Sequence, residues 1–186
     1  LHGGLVQLAL EAILRPGDPV ALISLLKHPL VRIGYEPQQL EWAVNRLELL
    51  CLRGGTALAN PANLKGLVLE AFAAFAQSPF RTAWQARLLA EDPQAGLLQL
   101  AERVERAVAP LAQMIISGDH AGLSSKFPLD AWAAATGQVL EALTVDDRGS
   151  LEMLWSGEAG DALAGLLREI IDGGETLEAS GPQWID

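Results

Sequence analysis

"LLKHPLVRIG", Leu25–Gly34, is the stretch on which the reading of the fold turns. An apolar segment of helical composition meets His28-Pro29 and then turns apolar again through Leu30, Val31 and Ile33. Proline lacks an amide hydrogen and pushes the residue before it out of helical geometry, so the preceding helix should close at His28. Lys27 and His28 at a helix C-terminus also suit the negative end of the helix dipole. A lone histidine there is read as a helix end rather than a catalytic base or a metal ligand.

The same punctuation organises the rest of the chain. Asp18-Pro19, Asn60-Pro61, Ser78-Pro79 and Asp92-Pro93 each place a short polar cap before a proline at the first helical position. Glu36-Pro37 is a weaker version of the pair. These starts predict helices over 5–14, 19–27, 37–53, 61–76, 79–90, 93–117 and 128–143, and one from after Ser156 to Gly173-Gly174. Leu151–Trp155 adds a short turn, and Pro110 should kink or split the sixth helix near Ala109. Gly54-Gly55 is read as the stop of the third.

Helical spacing predicts buried stripes at Leu40, Val44, Leu47, Leu50 and Cys51, and at Leu163, Leu166, Leu167, Ile170 and Ile171. Trp42, Trp84 and Trp132 fall inside helices and are read as core anchors. No segment alternates with period two. The expected fold is therefore all-α, an irregular bundle of about eight helices with essentially no sheet. Residues 1–172 form one helical domain in this reading, and 173–186 a tail or linker, either an arm anchored by Trp184 or a connection onward.

Composition narrows the function classes. Half the residues are hydrophobic, yet no apolar run reaches the ~18 residues of a membrane span, so no membrane partner is expected. Cys51 is the lone cysteine, which rules out an internal disulfide and fits a cytoplasmic setting. The chain opens on Leu1 without an initiator Met and is read as a piece of a longer protein. The net charge of −10 is concentrated: residues 127–186 hold twelve acidic and two basic residues, while the first two thirds balance. That last third should repel phosphate.

Little in the chain points to catalysis. His2, His28 and His120 lack a second ligand at helical spacing, so no metal site is expected. Asp119, His120 and Ser124 or Ser125 sketch a hydrolase set, but no nucleophile elbow frames them. "LRGGTALAN" follows a helix rather than a strand and lacks the Lys-Ser/Thr of a phosphate loop. Asp146-Asp147 and Glu158 with Asp161 are read as exposed acids. No catalytic residue and no cofactor are assigned. The candidate DNA-binding residues are Lys27, His28 and Arg32, a small basic patch around Pro29. The candidate partner-binding residues are Trp155 and Trp184, which lie near helix ends and loops.

"PVALISLLKHPLVRIG", Pro19–Gly34, followed by a helix ending "CLRGG", resembles a segment of the alphaproteobacterial AddB family. "LWSGEAGDALAGLLREI", Leu154–Ile170, resembles a second segment of it, in the same order. AddB is the helicase-like subunit of a bacterial helicase–nuclease that processes double-strand breaks for recombination. The resemblance implies an internal helical region like the 2B subdomain of superfamily I helicases. It implies as partners an AddA-like subunit, other domains of the parent chain and, through the basic patch, duplex DNA. The family's ATP site and nuclease residues lie outside such a region, so the resemblance implies no catalytic residue and no cofactor in these 186 residues. The rival readings are a free-standing helical adaptor, with Trp155, Trp184 and the acidic tail as its binding edge, and a small hydrolase built on His120.

Overall fold

The computed structural model describes residues 1–53, 58–78, 81–117, 125–174 and 176–185. Three of the described starts carry a side-chain cap. Helix α1, His2–Leu14, is followed by Asp18, whose Oδ1 accepts the Val20 amide at 2.8 Å and opens α2, Pro19–Leu26. Helix α3, Pro37–Leu47, continues as a π turn over Glu48–Leu52. Asn60 Oδ1 accepts the Ala62 amide at 2.9 Å and starts a 3-10 turn, Pro61–Asn63, that leads into α4, Leu64–Gln77.

Helix α5, Ala83–Leu89, begins later than the Ser78-Pro79 pair predicts. A reciprocal box sets its start instead, Thr82 Oγ1 accepting the Gln85 amide while Gln85 Oε1 accepts the Thr82 amide. Pro79 itself lies outside the described residues, as do Gly54-Gly55.

The organising element is α6, Gln94–Ser117, 24 residues long. It runs unbroken through Pro110, against the expected split. Leu97, Leu100, Ala101, Val104, Val108 and Leu111 bury one side of it among α1, α3, α4 and the following helix. That burial extends over both halves of the helix, and it offsets the roughly 3 kcal/mol a mid-helix proline costs.

Helix α7, Leu129–Thr144, packs along α6. A short α8, Glu152–Trp155, matches the expected turn, and α9, Gly157–Gly173, folds back on α7. The segment after Gly173 is ordered where described. Strand β2, Glu178–Ser180, pairs antiparallel with β1, Lys126–Pro128, placing Phe127 opposite Ala179. Helix α10, Gly181–Ile185, then packs on α1.

The chain is thus all-α apart from one two-stranded ribbon, with ten α-helices among the described residues rather than about eight. The ribbon was not foreseeable from period: three residues a side are too short to alternate. No described helix is long and apolar enough to cross a membrane.

Two packing expectations need correction. Trp132 is fully buried, but Trp42 is 54% exposed and Trp84 is exposed as well. Trp42 sits half a turn away from the stripe formed by Leu40, Val44, Leu47, Leu50 and Cys51, all of which are buried. Helix α5, which carries Trp84, buries no residue fully.

The α9 stripe is also narrower than predicted. Leu167 is buried, Leu163 and Ile170 are half-buried, and Leu166 and Ile171 are exposed. A helix that packs mainly against one neighbour hides only the centre of its apolar face. Accordingly, Leu167→Ala should cost about 2–5 kcal/mol, while Leu166→Ala should stay within about 0.5 kcal/mol. Urea denaturation of the two variants checks the contrast.

Candidate functional site

The His28-Pro29 turn is built as a joint. Lys27 caps α2, and the His28 amide donates to Leu25 O at 3.1 Å. His28 Nδ1 accepts the Leu30 amide at 3.3 Å, which ties the ring to the turn. The chain then crosses to the C-terminus of α7. The Arg32 and Ile33 amides both donate to Leu143 O, at 2.9 and 3.1 Å, and the Gly34 amide donates to Val145 O at 2.8 Å. These are carbonyls that a helix end leaves without partners, and the turn supplies their donors.

The turn adopts an uncommon backbone to do so. Ile33 has φ 51° and Gly34 φ 70°, and a β-branched residue at positive φ persists only where its surroundings hold it. Arg103 of α6 provides that hold. Its Nη1 donates to Ile33 O at 3.1 Å and Gly34 O at 2.8 Å, and its guanidinium lies over the Tyr35 ring at 4.2 Å. A Cβ at Gly34 would come within 3.0 Å of that nitrogen.

Lys27, His28 and Arg32 do converge, lining one shallow cleft of about 360 Å³ beside α3. Their charge is already answered. Lys27 Nζ pairs with Glu48 Oε2 at 2.5 Å, and Glu41 lines the same cleft. Arg32 Nη1 is turned back onto Pro29 O and Val31 O at 2.8 and 2.7 Å. Burial lowers the His28 pKa from its usual value, opposing the helix-dipole effect, so the ring favours its neutral form. Two cations against two carboxylates give the cleft little net field for a phosphate.

Trp155 and Trp184 lie on different elements. Trp155 Nε1 donates to Glu141 Oε1 at 3.1 Å, closing one end of the α7–α9 pair. Trp184 stacks on Trp132 with ring centres 6.2 Å apart and donates to Thr136 Oγ1 at 3.1 Å. Trp132 Nε1 in turn donates to Ala179 O at 2.8 Å, so the arm is fastened twice. The indole N–H groups of Trp155 and Trp184 therefore both bond within the chain.

His120 and Ser124 lie outside the described residues. Asp146 is a turn-former, its Oδ1 accepting the Arg148 and Ser150 amides at 2.9 and 2.7 Å. Among the described residues no cluster of metal-ligating side chains occurs. Burial pushes the Cys51 thiol up to about 12, which leaves it protonated and unreactive.

Sequence reasoning passed over a second cleft, of about 370 Å³, between α3 and the start of α6. Trp42 and Tyr35 line it, with Arg46 buried at its base. The Arg46 guanidinium sits 2.9 Å from the Trp42 ring centre and pairs with Glu91. A charged residue one position before Leu47 of the buried stripe was the available signal.

The "LWSGEAG" stretch is a second joint. Gly160 is buried, and a Cβ there would fall 2.6 Å from the Trp155 carbonyl carbon and 2.7 Å from Leu154 O. Backbone approaches backbone at that point, and only glycine fits.

Comparison of the chain with models of known families, with curated proteins and with solved structures finds no match.

The two α9 glycines separate the architectural from the incidental. Gly160→Ala should destabilise by about 1–3 kcal/mol through the backbone clash. Gly165→Ala meets nothing within 4 Å and should gain about 0.5–1 kcal/mol from helix propensity. Thermal and urea unfolding of the two variants measures both.

Proposed function

We propose that the chain is a non-catalytic helical packing domain of an AddB-like subunit, within an assembly that processes double-strand-break ends. Its work in that reading is to hold neighbouring domains and a partner subunit together, with no ATP, nuclease or cofactor chemistry of its own. One observation carries the reading. Both stretches that resemble AddB are joints: the His28–Gly34 turn caps α7, and the Gly160 corner seats α9 against α8. Residues that carry a resemblance through backbone geometry mark a scaffold rather than a reaction centre. The exposed Trp42, Leu69, Trp84 and Leu166 support it, since large apolar side chains left on several faces suit contact with other domains.

Within this reading, packing is favoured over DNA guiding. The cations of the Pro29 patch face carboxylates or bond to their own turn. The free-standing adaptor is the runner-up, supported by the same exposed apolar side chains.

The expected result of titrating the chain against blunt duplex DNA is no salt-sensitive binding at about 50 mM salt, where phosphate contacts are strongest. Salt-sensitive binding that Lys27→Ala and Arg32→Ala weaken would overturn packing in favour of DNA guiding. The AddB-like assignment is tested separately on the gene. It requires a helicase-like half upstream and nuclease motifs downstream, and their absence would contradict it in favour of the adaptor.

A further inference from the structure

The cleft of about 370 Å³ between α3 and the start of α6 has an apolar body and one buried cation. Ala43, Pro93 and Leu97 are buried and form its floor with Arg46, whose side chain is 7% exposed. Trp42 and Tyr35 give it aromatic walls. Gly96 opens its α6 side, where an added Cβ would meet nothing within 4 Å. The size falls within the ~300–1,000 Å³ of small-molecule sites.

One polar demand in this cleft is unmet. Arg46 Nε is buried without a hydrogen-bond partner, while Nη2 of the same guanidinium pairs with Glu91. A buried donor left without an acceptor is costly. The Trp42 ring covers the guanidinium, its centre 2.9 Å away, and is itself 54% exposed. A half-exposed ring can turn off Arg46 without opening the core, which uncovers the guanidinium to the cleft.

Charge limits the occupant. Arg46 is the one charged side chain among the described lining residues, and Glu91 already answers its charge. An anion would meet Glu91 as well as Arg46 and gain little. A cation would meet Arg46 directly. Both aromatic walls also carry a guanidinium already, Arg46 on Trp42 and Arg103 on Tyr35 at 4.2 Å. A pure hydrocarbon would leave Nε unmet. A neutral flat ring that stacks on Trp42 and bears an acceptor at its edge satisfies all of these conditions. The exposed carboxamides of Gln38 and Gln99 add donors and acceptors at the rim.

We infer that this cleft binds a small neutral heteroaromatic compound of about two fused rings. Its edge carbonyl accepts from Arg46 Nε while its face stacks on Trp42. This goes beyond the proposed packing role and does not depend on it.

The test is an NMR titration of the full chain with quinolin-2-one, which is neutral, flat and carries a carbonyl. Indole, which donates but has no acceptor, N-methylquinolinium and quinoline-2-carboxylate are the controls. Quinolin-2-one should bind with Kd on the order of 0.5 mM and shift the Trp42 indole and the Gly96 amide. Each control should bind about fivefold more weakly or worse. Gly96→Leu, which fills the cleft, and Trp42→Ala, which removes the stacking face, should each abolish the shifts. Both positions are exposed, and circular dichroism checks that the variants keep the fold. Equal or tighter binding of any control would overturn the inference. So would binding that the two variants leave unchanged, shifts confined to other faces, or no binding of quinolin-2-one. Binding of N-acetyltyrosinamide at least as tight as quinolin-2-one would replace the small compound with a partner protein's side chain.

Discussion

Three backbone amides, those of Arg32, Ile33 and Gly34, hold the N-terminal helices to the C-terminal ones through the carbonyls of Leu143 and Val145. Helices α2 and α7 are far apart in sequence, and each ends where the other's chain needs partners. A helix C-terminus left without donors inside a packed domain is costly. Donors at these positions require a backbone with positive φ at Ile33 and Gly34, and that requires the Arg103 clamp from α6. One strained turn thereby fixes α2, α6 and α7 relative to one another. The rest of the core, from Leu5 of α1 to Ala179 of β2, packs around that arrangement.

Much of the helical order was legible because it is local. Asp18 caps the helix it was expected to cap, Asn60 caps the 3-10 turn that leads into α4, and the stripe from Leu40 to Cys51 is buried as spacing predicts. What was not legible depends on tertiary surroundings. Pro110 predicts a kink or a split, and burial along α6 keeps the helix continuous through it. Trp42 looks like core by residue type, while its own angle on the helix puts it outside. The width of the α9 stripe depended on how many neighbours α9 has. The arm after Gly173 lacks periodicity because it is held by one ribbon and one indole stack.

The candidate site shows the same division. Lys27, His28 and Arg32 do share a cleft, as their sequence adjacency suggests. The neutralising Glu41 and Glu48 come from α3 and the π turn that follows it, and no reading of the Pro29 turn alone brings them in. A basic patch in sequence is a statement about one segment, whereas a phosphate responds to the field of every segment around it.

Amide hydrogen exchange is the most direct measurement of whether the Leu25–Gly34 stretch is an architectural joint. Exposed loop amides exchange through local fluctuations, whereas amides that hold a core together exchange only on global unfolding. The Arg32, Ile33 and Gly34 amides should be protected to the level of the central α6 amides, and Arg103→Met should lower their protection first. Exchange at loop rates, with α6 still protected, would contradict an architectural role.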